Sequence, residues 1–303
     1  MKREQSKKSK KAPESLWMDA WKRLKKNRAA VVSAWFILFM CLIALTANSI
    51  IPYPFDEQNI QRILEGPSGD HWLGTDNLGR DLFSRLIYGA RMSMAVAIFT
   101  AVASLLIGAV YGAISGWFGG KIDALMMRAM DILYSIPALV LMILVMVIFN
   151  SVQIFENPEL KAMTGIFLAL SLVGWVSVAR LVRGQVLQVK QLQFVEAATA
   201  LGASQFSIVW KHIFPNILGP LIVTLTFQIP SNVLFESFLS FIGLGLQPPF
   251  SSWGVLANEG WRSLRDYPHL IISPGIAIFV TMLAFNLFGD GLRDAFDPKL
   301  KNR

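Results

Sequence analysis

Six stretches of this chain contain no Asp, Glu, Lys or Arg: Ala29–Phe55, Met92–Gly120, Ile132–Phe155, Ala162–Ala179, His212–Phe235 and Tyr267–Gly289. Each is long enough to supply the ~17–25 residues with which a helix crosses the hydrocarbon of a bilayer. Inside a bilayer the backbone must satisfy its own polar groups, so only helices or a closed barrel can cross. The six stretches lack the alternation of barrel strands. The chain is therefore read as an all-α polytopic membrane protein with six transmembrane helices. Composition agrees: 54% of its 303 residues are hydrophobic and 16% charged, with mean hydropathy +0.49. A soluble domain carries about a quarter charged residues.

Orientation follows from where the 28 Lys/Arg fall. With the N-terminus placed in the cytoplasm, cytoplasmic segments hold 21 of them and external segments 7. That bias places both termini inside. The net charge of +8 belongs to this topology. It flanks apolar spans, which excludes a nucleic-acid-binding surface.

The resulting map is a cytoplasmic basic tail and interfacial helix (1–28), spans at 29–51, 92–117, 132–155, 162–179, 216–238 and 270–289, external segments at 52–91 and 239–269, a cytoplasmic loop at 180–215 and a cytoplasmic tail at 290–303. The spans from about 90 to 290 form one domain. Residues 1–13 read as an unstructured Lys/Ser-rich lead. In 15–28, Ser15 can cap a helix that places Trp17, Trp21 and Leu24 on one face, suited to lying in the membrane interface. The first span is too long for a signal-peptide core and reads as a retained anchor. The single cysteine, Cys41, sits in that span as apolar filler.

The loop at 180–215 is large for a connector. It reads as a short helix, a glycine break, a second short helix and a proline entering the next span. Within it lie Glu196-Ala197-Ala198, then Gly202-Ala203, then His212-Ile213-Phe214-Pro215. Small residues at 197, 198 and 202 allow a close approach of another helix, and glycine allows a sharp turn. Glu196 offers a charge to a partner or a cap to its own helix.

Three other features carry expectations. Ser104, Gly108, Gly112, Gly116 and Gly120, spaced by four, form a small-residue stripe that packs against protein. Span five holds Asn232 and, at its end, Glu236. A carboxylate there should face a cavity, a partner or headgroups, which makes both residues candidates for a substrate path or gate. The external segment Gly74–Ser93 is dense in Asp76, Arg80, Asp81, Arg85 and Arg91. An i,i+4 pair from Asp81 to Arg85 and an ion-pair knot at the mouth of span two are expected there.

Catalytic signatures are absent. Gly119-Gly120-Lys121 is no phosphate loop, because Ile122 stands where Ser/Thr would bind magnesium. There is no metalloprotease or serine-hydrolase motif, and the three histidines are far apart in sequence, so neither a catalytic nor a metal site is read.

At this point the residues reach a known family. The 196–215 pattern resembles the EAA loop of type I, binding-protein-dependent ABC importer permeases. GTDNLGRDLFSR at 74–85, LSFIGLGLQPP at 239–249, SSWG at 251–254 and the segment from Pro274 to Lys299 resemble the C-type permease of oligopeptide and dipeptide transporters. Phe214 stands where the loop usually has Leu, and Thr199 where this subfamily often has Arg. The resemblance implies a multi-pass, non-catalytic subunit of a bacterial inner membrane. It also implies a heterodimer with a homologous B-type permease, two cytoplasmic ABC ATPases that bind ATP and Mg, and an extracytoplasmic solute-binding protein. Glu196, Ala197, Ala198, Gly202, Ala203 and Pro215 would then form the ATPase-coupling loop. Similar subunits serve nickel complexes, glutathione or murein peptides as alternatives to di- and oligopeptides. An ion-coupled secondary transporter would need inverted repeats and midplane ionisable residues, and a channel would conduct without ATP. The spans show neither repeats nor such charges.

Overall fold

A computed structural model describes residues 16–152 and 155–297. Ser15 and residues 1–13 lie outside them. The described chain is a bundle of helices: α1 (Leu16–Lys26), α2 (Arg28–Ile50), α3 (Leu82–Phe118), α4 (Gly120–Tyr134), α5 (Ala138–Ser151), α6 (Pro158–Val189), α7 (Gln193–Ala200), α8 (Gln205–Ile208), α9 (Phe214–Phe241), α10 (Trp253–Trp261) and α11 (His269–Phe296). Among the described residues five helices are long and apolar enough to cross a membrane, six if the bent pair α4–α5 counts as one crossing.

The helices outrun the uncharged windows. α3 begins ten residues before its window, at an Asp81 side chain that caps the Ser84 amide at 2.7 Å. α6 has 32 residues, against 18 in its window. Charged helical turns project beyond an apolar span without breaking the helix, so absence of charge marks the crossing and not its ends. The window at 132–155 is the largest departure. Its first residues close α4, and Pro137 opens α5 after a bend of 79°. A residue preceding proline is steered out of the helical region, and here the break falls there.

The core sits where α3, α6 and α9 meet, and the glycine stripe is what lets α3 and α6 touch. A Cβ on Gly108 would lie 2.7 Å from the Trp175 carbonyl and 2.6 Å from the Val178 Cβ. On Gly112 it would run into the Ala179 carbonyl, and on Gly116 it would lie 3.0 Å from that of Arg183. The partner of the stripe is therefore α6, in a register that advances together along both helices. Close backbone approach of this kind supplies van der Waals contact where lipid offers no hydrophobic driving force. Gly120, expected to end the stripe, is corrected: it follows the break at Gly119, and both open away from any neighbour, with φ of 53° and 64°.

α1 tucks its Ala20 and Leu24 against Leu292 and Ala295 of α11, and Arg23 donates to the Asp297 carbonyl at 3.1 Å. Trp17 and Trp21 stand about half exposed on the side of α1 that carries Leu24, as the spacing suggested, and Trp17 meets the Phe296 ring edge-on at 5.3 Å. α2 is the most peripheral span, with 17% of its apolar window buried and Trp35, Phe39 and Leu45 outward, as a helix bathed in lipid would be.

At the end of the bundle that carries α10, Asp76, Arg80, Arg85 and Glu259 form one buried network. Asp76 accepts from Arg80 Nε at 2.7 Å and from Arg85 Nη1 at 2.6 Å. Glu259 accepts from Arg80 at 3.0 Å and pairs with Arg85 Nη1. The knot expected at the mouth of span two exists, but its pairing differs from the i,i+4 reading. Asp81 caps α3 and meets His71 Nδ1 at 2.9 Å, while Arg85 turns away to Asp76 and Glu259. The N-cap geometry aims the Asp81 carboxylate at the first-turn amides, where the Arg85 guanidinium does not reach. The network ties the 59–81 loop and α10 to the head of α3.

Candidate functional site

The loop between α6 and α9 forms a short helical hairpin. α7 closes with the Gly202 amide donating to Thr199 and the Ala203 amide to Ala198, at 3.0 and 3.1 Å. Gly202 has φ +80°. Those two bonds around a left-handed glycine are a complete Schellman stop, so the glycine break read from the sequence is a turn that glycine favours. Ser204 then caps α8 by accepting from the Ser207 amide at 3.3 Å. α8 runs through a π-turn at Val209–Ile213 into α9. Pro215 lacks the amide that would reach back to the Lys211 carbonyl, and the neighbouring Asn216 side chain donates to the His212 carbonyl at 2.6 Å. The proline thus joins the loop to span five as one helix with a widened turn, where the sequence suggested a separation.

The inner face of this hairpin is anchored. Val195 of α7 and Ile208 and Ile213 of the α8 segment share a buried cluster with Val182, Val186 and Val189 of α6 and Ile217 and Leu221 of α9, with Ala198 and Ala203 packed beside them. A force on the hairpin is therefore delivered to α6 and α9 through close-packed side chains. Trp117 at the end of α3 joins the same assembly. Its carbonyl accepts from Lys190 Nζ at 2.6 Å, its ring lies under that ammonium, and its indole N–H donates to Gln205 at 3.3 Å.

The outer face is apolar and bare. Leu201 is 87% exposed and Phe206 75%, flanked by Phe194 and Trp210. Beside them a groove of about 640 Å³ is lined by Trp117, Lys190, Glu196, Thr199, Ala200 and Gln205. Large exposed apolar side chains clustered on a rigid loop mark an interaction surface. Glu196 and Ala197 lie on this open side with Gly202 and Pro215, while Ala198 and Ala203 face partly inward. So the candidate loop residues are together, with the alanines divided between the two faces. Thr199, where the subfamily often has Arg, folds back to the Val195 carbonyl at 2.9 Å. Leu201, Phe206, Trp117 and Lys190 escaped the sequence reading. The signal that could have found Leu201 is its place directly before the stop glycine, which pushes a side chain outward at a helix end.

The two path candidates sit elsewhere. Asn232 is 4% exposed and donates to the Ala97 carbonyl at 3.0 Å. Glu236 is completely buried within this chain, accepting from Ser93 and Ser240 at 2.8 Å each and from Ser237 at 3.4 Å. The expectation that Glu236 faces a cavity, a partner or headgroups is corrected: it faces hydroxyls of α3 and of its own helix. Those bonds solve the cost of placing a carboxylate inside a bundle.

Residues 108–302 match the family model described as the binding-protein-dependent transport system inner membrane component. That stretch covers more than half of the chain. The chain belongs to this family. Residues 15–67 separately match the N-terminal transmembrane domain of oligopeptide transport permease C. Among characterised relatives of the permease family, the chain is 44% identical to the dipeptide transport system permease protein DppC of Bacillus subtilis, over 95% of this chain and 87% of the relative. It is 42% identical to the oligopeptide transport system permease protein OppC of the same organism, over 95% and 91%. It is 39% identical to the glutathione transport system permease protein GsiD of Pectobacterium atrosepticum, over 94% and 92%. The likeness spans the hairpin, the α3–α6 seam and the ion network alike.

Proposed function

We propose that this chain is the C-type permease subunit of an ATP-driven importer of di- and oligopeptides, lying in a bacterial inner membrane with both termini in the cytoplasm. It pairs with a homologous B-type permease to enclose the path, receives peptide from an extracytoplasmic binding protein and is driven by two cytoplasmic ATPases. ATP and Mg are bound by those ATPases, since this sequence has no phosphate loop. The observation that carries the reading is the hairpin: a rigid turn with Leu201 and Phe206 outward and Val195, Ile208 and Ile213 locked to α6 and α9. An ATPase that grips the outer face moves two spans through the inner one. The peptide substrate is supported by the names of the relatives at 44% and 42% identity.

Glutathione is the second reading, supported by the 39% identical relative. Glutathione is itself a small peptide, so the same path chemistry serves both. The deciding experiment is uptake of labelled dipeptides, a pentapeptide and glutathione by cells lacking this chain and by cells with it restored. The proposal expects restored uptake of the unmodified peptides that stops when ATP is depleted. Uptake that survives ATP depletion and collapses with the proton gradient would instead make this an ion-coupled carrier.

A further inference from the structure

One face of α9 carries Gln228, Asn232, Glu236 and Ser240, spaced by four, and this face lies along α3. Its upper part is fully bonded: Glu236 to Ser93, Asn232 to the Ala97 carbonyl. Lower down the pattern changes. Gln228 donates from Nε2 to the Gly174 carbonyl at 3.1 Å, but its Oε1 is buried with no partner among the described residues. The same holds for Thr100 Oγ1, Ser104 Oγ and Ser171 Oγ. Thr100 and Ser104 are completely buried, and Ser171 is 7% exposed.

Ser104 and Gln228 come together over Gly174. A Cβ on Gly174 would lie 2.7 Å from both Ser104 Oγ and Gln228 Nε2, so α3, α6 and α9 converge on that glycine. The α3–α6 register pairs Gly108 with Trp175 and Val178 and Gly112 with Ala179 and Val182. Continued upward by one and two turns, it sets Ser104 and Thr100 against the turn of α6 that holds Ser171. All lie near the midpoints of their helices, α3 at 82–118, α6 at 158–189 and α9 with its α8 lead at 205–241.

We propose that this junction is a binding site for ordered water, bridging Ser104, Ser171 and the Gln228 carbonyl, with Thr100 at its upper edge. Deep in a bilayer no solvent reaches such groups, and unpaired polar atoms there are costly. Buried water makes about three hydrogen bonds to groups of this kind. Hydroxyls donate or accept and an amide carbonyl accepts, so a water molecule satisfies all of them. The set is neutral and holds no carboxylate, which suits water over a metal cation. Gly174 lets the Ser104 and Gln228 side chains close over the α6 backbone, each 2.7 Å from where a Cβ would stand. The site lies where the two spans continued by the hairpin meet α3, and water-bridged contacts there can be exchanged as the helices shift.

The test uses the full-length chain, purified in lipid nanodiscs with the subunits that accompany it. A high-resolution density map should show a peak within hydrogen-bond distance of Ser104, Ser171 and Gln228, absent in Ser104→Ala/Ser171→Ala. In thermal unfolding, Ser104→Ala and Ser171→Ala should each lower Tm, and the double variant should lower it no further than the larger single, because both lose the same bridge. The inference is overturned if the wild-type map shows these hydroxyls bonded to carbonyls of their own helices with no peak. It is equally overturned if the two Tm losses add, or if the peak appears in sodium and disappears in its absence.

Discussion

The Ala203 amide reaches back across Gly202 to the Ala198 carbonyl at 3.1 Å, closing α7 and turning the chain into α8. That bond sets the angle between the two short helices. Because Gly202 holds φ +80° and a Cβ there would meet nothing within 4 Å, the constraint is one of backbone conformation and not of space. Gly202→Val therefore costs roughly 1–2 kcal/mol, confined to the hairpin. Expected are a normal amount of folded protein in the membrane, by size-exclusion profile, and peptide uptake reduced at least fivefold. Uptake equal to wild type would show that the turn geometry is dispensable.

The glycine stripe makes an opposite prediction. Gly112→Ala drives a methyl group into the Ala179 backbone, and overpacking of this kind costs about 1–3 kcal/mol. Gly184→Ala, on the exposed side of α6 with nothing within 4 Å, should leave Tm unchanged or raise it. Thermal unfolding of the two variants in detergent should thus separate them in sign.

Glu259 holds two guanidiniums, Arg80 and Arg85, that are almost wholly buried. Glu259→Ala leaves them uncompensated except for Asp76, at a cost of about 3–5 kcal/mol. The expected readouts are a lower Tm and faster proteolysis within residues 59–81, the loop that the network fastens. Glu259→Ala combined with Arg85→Met should lose less than the sum of the singles, because the double change removes both members of a buried pair.

Much of this was legible in the sequence, and the exceptions have physical reasons. Spans are announced by the absence of charge, so their existence was readable at Ala29–Phe55 or Tyr267–Gly289. Helix ends in water carry charges freely, so the helical turns before Met92 were readable only through the Asp81–Arg85 spacing, and those after Ala179 were not. The α4–α5 bend hides because α4 is amphipathic, with Lys121, Asp123 and Arg128, and merges with an apolar run across Ser135–Pro137. Glu236 was misread because its partner Ser93 lies 143 residues away, and nothing local signals a hydroxyl shell. In the hairpin, Gly202 was readable from its residue type. Phe206 was not, because an apolar residue in a four-residue helix has too little periodicity to tell inward from outward, and Leu201, the cap of α7, was signalled only by its place before Gly202.

Those two residues bear the binding prediction. Apolar anchors at the centre of an interface cost more than 1 kcal/mol when truncated. Leu201→Ala and Phe206→Ala should each weaken association with the ATPase subunits by about tenfold, since 1.4 kcal/mol is a factor of ten. Both side chains are solvent-exposed in the isolated chain, so Tm of the subunit alone should not change. Titration of purified ATPase onto nanodisc-embedded chain measures the first, and thermal unfolding the second.

The central claim is that the α7–Gly202–α8 hairpin is where the ATPase grips this chain. A photo-crosslinking amino acid placed at Leu201, with a second placed at Trp72 at the opposite end of the bundle, tests it directly in intact cells. The account predicts an ATPase adduct from position 201 and none from position 72. An ATPase adduct from position 72, or none from position 201 in cells that import peptide normally, would contradict it.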